Sequence, residues 1–238
     1  MAKIGINGFG RIGRTITRIN KLQSRFNLLA INDIDPYVEN MAYLLKYDST
    51  YGKFPGEIKN NKDVIFVDGS EIQYFSQPNL HEVDWGSLGV DLVIDSSGVA
   101  SNVESARKLV AQNSSVKKVI ITNSSDTTDR EIIMGVNHDS LEESDQVVSN
   151  SICDANALAH VLKWIDDEYG IDSGSITTLH PWLSYQNLVD GPAISKSKPG
   201  VVWKDFALGR ASSDSLIPKN TTAVSAVETV LPHLKDKL

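Results

Sequence analysis

One thiol, one glycine-rich turn and one acidic residue carry most of the chemistry legible in this sequence. Cys153 follows the β-rich run Gln146-Val147-Val148-Ser149 and directly precedes a stretch of helical spacing over residues 154–169. A helix N-terminus presents partial positive charge and free N–H groups, which favour a thiolate, so the position suits a nucleophile. It suits a structural residue as well, because free cysteines are among the most buried side chains. A neighbouring base decides between the two. Of the five histidines, His81, His138, His160, His180 and His233, His180 closes the β-rich run over residues 174–179 and precedes Pro181. It therefore stands at a strand end, where site residues gather. His160 is two helical turns from Cys153, too far to activate it. Cys153, His160 and His180 lack any recognised zinc-ligand spacing, so no metal site is expected.

Gly8-Phe9-Gly10-Arg11-Ile12-Gly13 has the spacing G-x-G-x-x-G, it follows the strand-like run Lys3-Ile4-Gly5-Ile6-Asn7, and it opens a helical segment. Asp33 ends the next β-rich run, about twenty residues further on, as the dinucleotide fingerprint requires. In that motif the first glycine permits a tight turn, the second lets backbone approach a pyrophosphate and the third lets helix pack on strand. The pyrophosphate rests on the helix N-terminus. An acidic Asp33 accepts hydrogen bonds from ribose hydroxyls and repels a 2′-phosphate, which favours NAD over NADP.

The elements that position these residues alternate. Strand-like runs at residues 3–7, 28–32, 91–94 and 118–122 are separated by helical spacing at residues 11–22 and 103–111. Repeated βαβ units predict an α/β fold with a Rossmann-type doubly wound sheet. After Ser149 the rhythm changes to a longer helix, the strand-like residues 174–179, and a last helix over residues 221–230. A second, α+β catalytic domain is therefore expected over residues 150–238, after a dinucleotide-binding domain over residues 1–149. Residues 181–210 are rich in Ser, Lys, Pro and Gly but include Trp182, Tyr185 and Trp203, which predicts a long ordered loop.

Composition narrows the functions. With 41% hydrophobic and 22% charged residues the 238-residue chain is an ordinary globular protein. Its net charge of -7 opposes a general role on nucleic acid phosphates or anionic membranes. A single cysteine excludes an intrachain disulfide, and no run approaches the ~18 apolar residues of a membrane span, so a cytoplasmic location is expected.

In combination these residues resemble the glyceraldehyde-3-phosphate dehydrogenase family. The resemblance runs through Ile6-Asn7-Gly8-Phe9-Gly10-Arg11-Ile12-Gly13-Arg14, Ile31-Asn32-Asp33, Tyr47-Asp48-Ser49-Thr50-Tyr51-Gly52, Met134-Gly135-Val136-Asn137-His138-Asp139, Val148-Ser149-Asn150, Thr177-Thr178-Leu179-His180 and Val189-Asp190-Gly191-Pro192. The separation of Cys153 and His180 also matches that of the family's nucleophile and base. The resemblance implies NAD-dependent oxidation of a phosphorylated aldehyde: the Cys153 thiolate adds to the aldehyde carbon, His180 takes the proton, and a thioester results. It implies cofactor contacts along residues Asn7 to Gly13 and at Asp33, Ser97 and Thr122, substrate contacts at Asp154, Arg210 and Thr221, and a homotetramer.

The sequence departs from the family pattern around the nucleophile. Where the family reads Ser-Cys-Thr-Thr-Asn-Cys, this chain has Ile152-Cys153-Asp154-Ala155-Asn156-Ala157. Two phosphate-binding hydroxyls are replaced, and an ionised Asp154 repels phosphate and works against a thiolate. After His180, Pro181-Trp182-Leu183-Ser184-Tyr185-Gln186-Asn187 replace small hydroxyl residues and a lysine, which implies a rebuilt pocket. The last residues resemble an internal stretch of the family, so roughly the last third of the family's length is expected to be absent and the catalytic domain to be incomplete. The alternative is a non-catalytic or non-phosphorylating dinucleotide-binding homologue with an altered substrate pocket.

Overall fold

The structure, a computed structural model, describes residues 1–179, 186–194, 202, 204, 209–213, 215–216 and 221–238. Two compact units divide the chain, Met1–Ile152 and Cys153–Leu238.

In the first unit, β1 (Lys3–Asn7), α1 (Arg11–Gln23) and β2 (Asn27–Asn32) form the opening βαβ unit, followed by α2 (Val38–Lys46) and a short pair, β3 (Tyr47–Asp48) with β4 (Gly52–Lys53). Then come β5 (Ile58–Asn61), β6 (Val64–Val67), β7 (Ser70–Phe75), β8 (Leu92–Asp95), α3 (Asn102–Gln112), β9 (Lys118–Ile121), β10 (Arg130–Glu131) and β11 (Val147–Ser149). Among the described residues one sheet has the order β10-β11-β9-β8-β1-β2-β7-β6-β5. Pairing is parallel from β10 through β7 and antiparallel for β7-β6-β5. The chain leaves β1 toward β2 on one side and returns to β8 on the other, which opens a crevice at the carboxyl ends of these strands.

Both faces of the sheet are covered, as a parallel sheet requires. On β2, Ala30 and Ile31 point to opposite faces and belong to two separate cores. Ile31 packs with Ile4, Ile6 and the α2 residues Val38, Met41 and Leu45. Ala30 packs with Trp85, Val93, Val119 and the α3 residues Val103, Ala106 and Leu109. Gly5 makes room for Trp85, whose indole is fully buried and donates to the Leu80 carbonyl at 2.9 Å; a Cβ on Gly5 would lie 2.5 Å from the indole ring. The β6–β7 hairpin turns through Asp68-Gly69, both at positive φ, the pair that matches strand twist in a two-residue turn.

The second unit contains α4 (Cys153–Tyr169) and α5 (Ala223–Val230), which pack against each other. Ala155 and Ala159 on α4, and Ala223 and Ala226 on α5, are buried. His233 and Asp166 meet at 2.8 Å and tie the turn after α5 to α4. The strand expected over residues 174–179 does not form among the described residues. Its β-branched residues favour extended backbone, but a strand needs a ladder partner, and among the described residues the segment's one backbone bond outside helices and strands runs from the Gly174 N–H to the Lys237 carbonyl at 2.7 Å. Most of the loop expected over residues 181–210, with Trp182, Tyr185 and Trp203, lies outside the described residues.

Candidate active site

The glycine turn is built on three different constraints. Gly8 has φ +84°, and a Cβ there would stand 2.5 Å from the Ser97 backbone, so both conformation and space demand glycine. At Gly13 an added Cβ would lie 2.5 Å from the Gly8 carbonyl, which is the close approach of helix α1 to β1. Gly10 differs from both. A Cβ on Gly10 meets nothing within 4 Å, so its bareness leaves open space above the start of α1 rather than resolving a clash.

That space belongs to a cleft of about 210 Å³ at the carboxyl ends of β1, β2 and β8, lined by Asn7, Gly8, Gly10, Asn32, Asp33, Ile34, Gln77, Pro78, Ser96, Ser97, Val99 and Asn102. Asp33 stands half-buried at its wall. One carboxylate oxygen accepts the Phe9 N–H at 2.6 Å and the other accepts the Asp35 N–H at 3.1 Å. Each oxygen keeps a second lone pair for a ribose hydroxyl. A bare cradle at a helix N-terminus with a carboxylate beside it fits a dinucleotide, the pyrophosphate over Gly10 and the ribose at Asp33.

Beneath the cleft lies a buried polar network. Asn7 donates to Asp95 at 2.7 Å and accepts from Asn32 at 2.7 Å, while Asn102 donates to Asp95 and, at 2.9 Å, to the Ser97 hydroxyl oxygen. Burial pushes the Asp95 carboxyl up from the usual carboxylate range, and the donors from Asn7, Ser97 and Asn102 oppose that shift. Asn32 and Gln77 close the far wall: the Asn32 amide donates to the Gln77 carbonyl at 3.0 Å and accepts the Gln77 N–H at 2.8 Å.

Of the residues expected to contact the cofactor, Asn7, Gly8, Gly10, Asp33 and Ser97 line this cleft. Phe9 is fully buried and offers only backbone, and Gly13 sits behind the turn. Arg11 and Ile12 are exposed on the first turn of α1. Thr122 follows β9 and donates its N–H to the Asp95 carbonyl at 2.9 Å. Sequence reasoning missed Asn32, Ile34, Gln77, Pro78, Ser96, Val99 and Asn102. Asn32 and Ile34, adjoining Asp33, and Ser96, adjoining Ser97, had a local signal.

In the second unit Cys153 is the first residue of α4 and is exposed. The Asp154 carboxylate, from the same first turn, lies 3.9 Å from its Sγ. His160 turns back onto its own helix, 2.8 Å from the Asn156 carbonyl. His180 lies outside the described residues. Arg210 pairs with Asp190 at 3.0 Å, on a loop closed by the Gly191 N–H to the Gly209 carbonyl and the Ser212 N–H to the Asn187 carbonyl. Thr221 accepts the Ala223 N–H, the first of α5, at 3.0 Å on its hydroxyl. Among the described residues no group of three or more His, Cys, Asp and Glu could hold a metal ion, and no helix is long and apolar enough to cross a membrane.

Comparison with known proteins agrees with this geometry. Residues 2–103 match the family model for the glyceraldehyde 3-phosphate dehydrogenase NAD binding domain, and residues 152–238 match that for the C-terminal domain. Glyceraldehyde-3-phosphate dehydrogenase 1 of Kluyveromyces lactis is 40% identical over 238 residues, which cover 100% of this chain and 68% of the relative. Glyceraldehyde-3-phosphate dehydrogenase 2 of Saccharomyces cerevisiae is 39% identical over 240 residues, again covering 100% and 68%. The cytosolic glyceraldehyde-3-phosphate dehydrogenase of Chlamydomonas reinhardtii is 40% identical over 237 residues, covering 99% and 66%. The chain belongs to the glyceraldehyde-3-phosphate dehydrogenase family, with an NAD-binding Rossmann unit followed by residues that match that family's C-terminal domain.

Proposed function

We propose that this chain oxidises a phosphorylated aldehyde with NAD, through covalent attachment of the aldehyde to Cys153. The observation that carries the reading is an exposed thiol, the only one in the chain, at the first position of a 17-residue helix. Residues 1–149 hold the dinucleotide through Gly8, Gly10, Asp33 and Ser97, and residues 150–238 supply the nucleophile and the substrate contacts.

Bound NAD supplies a hydride acceptor. The residues do the rest. The helix dipole at the start of α4 favours negative charge on the Cys153 sulfur, which adds to the aldehyde carbon. His180 takes the proton from the hydroxyl of the resulting hemithioacetal, and oxidation leaves a thioester on Cys153. Arg210 and Thr221 are the assigned contacts of the substrate phosphate, with Arg210 exchanging its Asp190 partner for the anion.

Asp154 bears on the acyl acceptor. A carboxylate near the sulfur repels a dianionic phosphate approaching the thioester, and Ile152 supplies no hydroxyl to hold one. Phosphate is therefore a weaker acyl acceptor here than in relatives with hydroxyl residues at both places. We also assign a homotetramer and a cytoplasmic location, in keeping with the family resemblance.

NADH formation from phosphorylated aldehydes, including glyceraldehyde 3-phosphate, tests the reading on the chain and on Cys153→Ala. Turnover by the chain and none by the variant is expected; equal rates would remove Cys153 from the reaction.

A further inference from the structure

A second buried carboxylate lies outside the cofactor cleft. Glu131, on the short edge strand β10, is only 6% exposed, and hydroxyl donors meet both of its oxygens. Ser151 donates to Oε1 at 2.5 Å and Ser124 donates to Oε2 at 2.7 Å. Ser149 stands 3.4 Å from Oε2, but its hydrogen goes to the Asn123 carbonyl at 2.8 Å, and its oxygen accepts the Ser151 N–H at 2.9 Å. The Glu131 backbone is held too, its carbonyl accepting from the Asn137 amide at 2.9 Å. A buried carboxylate is tolerated only when its oxygens are satisfied, so this is a built cluster.

The cluster grips an unusual residue. Ser151 is 2% exposed and has φ +64°, in the left-handed region that non-glycine residues hold only when their surroundings fix them. Both its hydroxyl and its N–H are engaged, by Glu131 and Ser149. Two residues further along the chain is Cys153.

We propose that Glu131 and Ser151 are positioning residues for the nucleophile: the Ser151 hydroxyl on Glu131 fixes the left-handed turn from which the backbone enters the helix opened by Cys153. The inference rests on the reading of Cys153 as nucleophile. Neither side chain lines the cofactor cleft, and both act through the backbone of residues 151–153. Ser124 is the internal control, since it satisfies the same carboxylate but lies on the strand-to-loop segment after β9, away from the lead into Cys153.

The test compares the chain with S151A, S124A, E131A and E131Q. Because Cys153 is the only thiol, intact mass reads its alkylation by iodoacetamide without ambiguity. NADH formation gives kcat and KM, and thermal melting with NAD calorimetry confirms that each variant is folded. Misplacement of a reacting atom by a fraction of an ångström lowers rate more than affinity, so S151A is expected to slow alkylation and kcat about tenfold while the aldehyde KM changes little. S124A loses melting temperature but keeps the native alkylation rate, and E131Q, which retains an Oε1 acceptor for Ser151, recovers most of the rate lost in E131A. Native alkylation by folded S151A, or equal slowing by S124A and S151A, overturns the proposal. If the native chain forms no NADH the aldehyde reading fails, while the alkylation rates still decide the positioning claim.

Discussion

The backbone N–H of Phe9, inside the glycine turn, donates to the carboxylate of Asp33 at 2.6 Å. The residue proposed to bind the ribose therefore also holds the glycine turn. Asp33→Ala removes both effects at once. A charged hydrogen bond is worth about 1.5–3 kcal/mol, so NAD affinity should fall by at least about tenfold in calorimetry, and the preference for NAD over NADP should shrink. An unchanged Kd for NAD would exclude Asp33 from the cofactor contacts.

The three glycines should separate fold from binding. Gly8→Ala and Gly13→Ala push a methyl group to 2.5 Å from backbone atoms, and Gly8→Ala adds left-handed strain. Both should lower the melting temperature by several degrees, or prevent folding. Gly10→Ala meets open space at φ -69°, so its melting temperature should stay native while NAD affinity falls. A Gly10→Ala protein that binds NAD normally would place the pyrophosphate elsewhere.

Asp145 gives a pH signature of stability. The Arg130 guanidinium, with Nε 2.7 Å from a carboxylate oxygen, and the Glu142 N–H hold the Asp145 carboxyl below the usual carboxylate range. A lowered native value means the stabilisation is complete above the unfolded value of about 4 and is lost as pH falls through the native one. Asp145→Asn should therefore melt about 2–4 °C lower than the native chain at pH 7, the shift expected for a loss of this kind in a chain of this size. The two melting curves should approach one another as pH falls below the unfolded value and coincide below the native one. A difference that widens in acid would contradict the assignment.

The acyl acceptor can be redirected if Asp154 and Ile152 restrict it. Restoring hydroxyls in the double variant I152S/D154T should raise the dependence of NADH formation on inorganic phosphate, while the native chain responds weakly. A steep phosphate requirement in the native chain would show that the carboxylate near Sγ does not exclude the anion.

The sequence made the glycine turn legible because each role is local: three glycines, a strand before, a helix after and an acid at the end of β2. The Asn7–Asp95 bond joins residues 88 positions apart, and the Glu131–Ser151 bond joins residues 20 apart. Neither leaves a local pattern. The Asp68-Gly69 turn did carry a signal, an Asp-Gly pair between the apolar run Val64-Ile65-Phe66-Val67 and the β-rich residues 70–75, which marks a hairpin. Residues 174–179 show the opposite failure: Ile176, Thr177 and Thr178 have strand propensity, but propensity does not supply a partner. The placement of Cys153 at a helix start was legible; the buried carboxylate holding its approach was not.

The central claim is that Cys153 carries the substrate as a thioester. Mixing the chain with NAD and a phosphorylated aldehyde in the absence of phosphate, then reading NADH and intact mass together, tests it directly. A burst of about one NADH per chain accompanied by an acyl mass on Cys153 is expected, since slow deacylation lets a covalent intermediate accumulate. NADH formation with no adduct on Cys153, or equal NADH formation by Cys153→Ala, would contradict it.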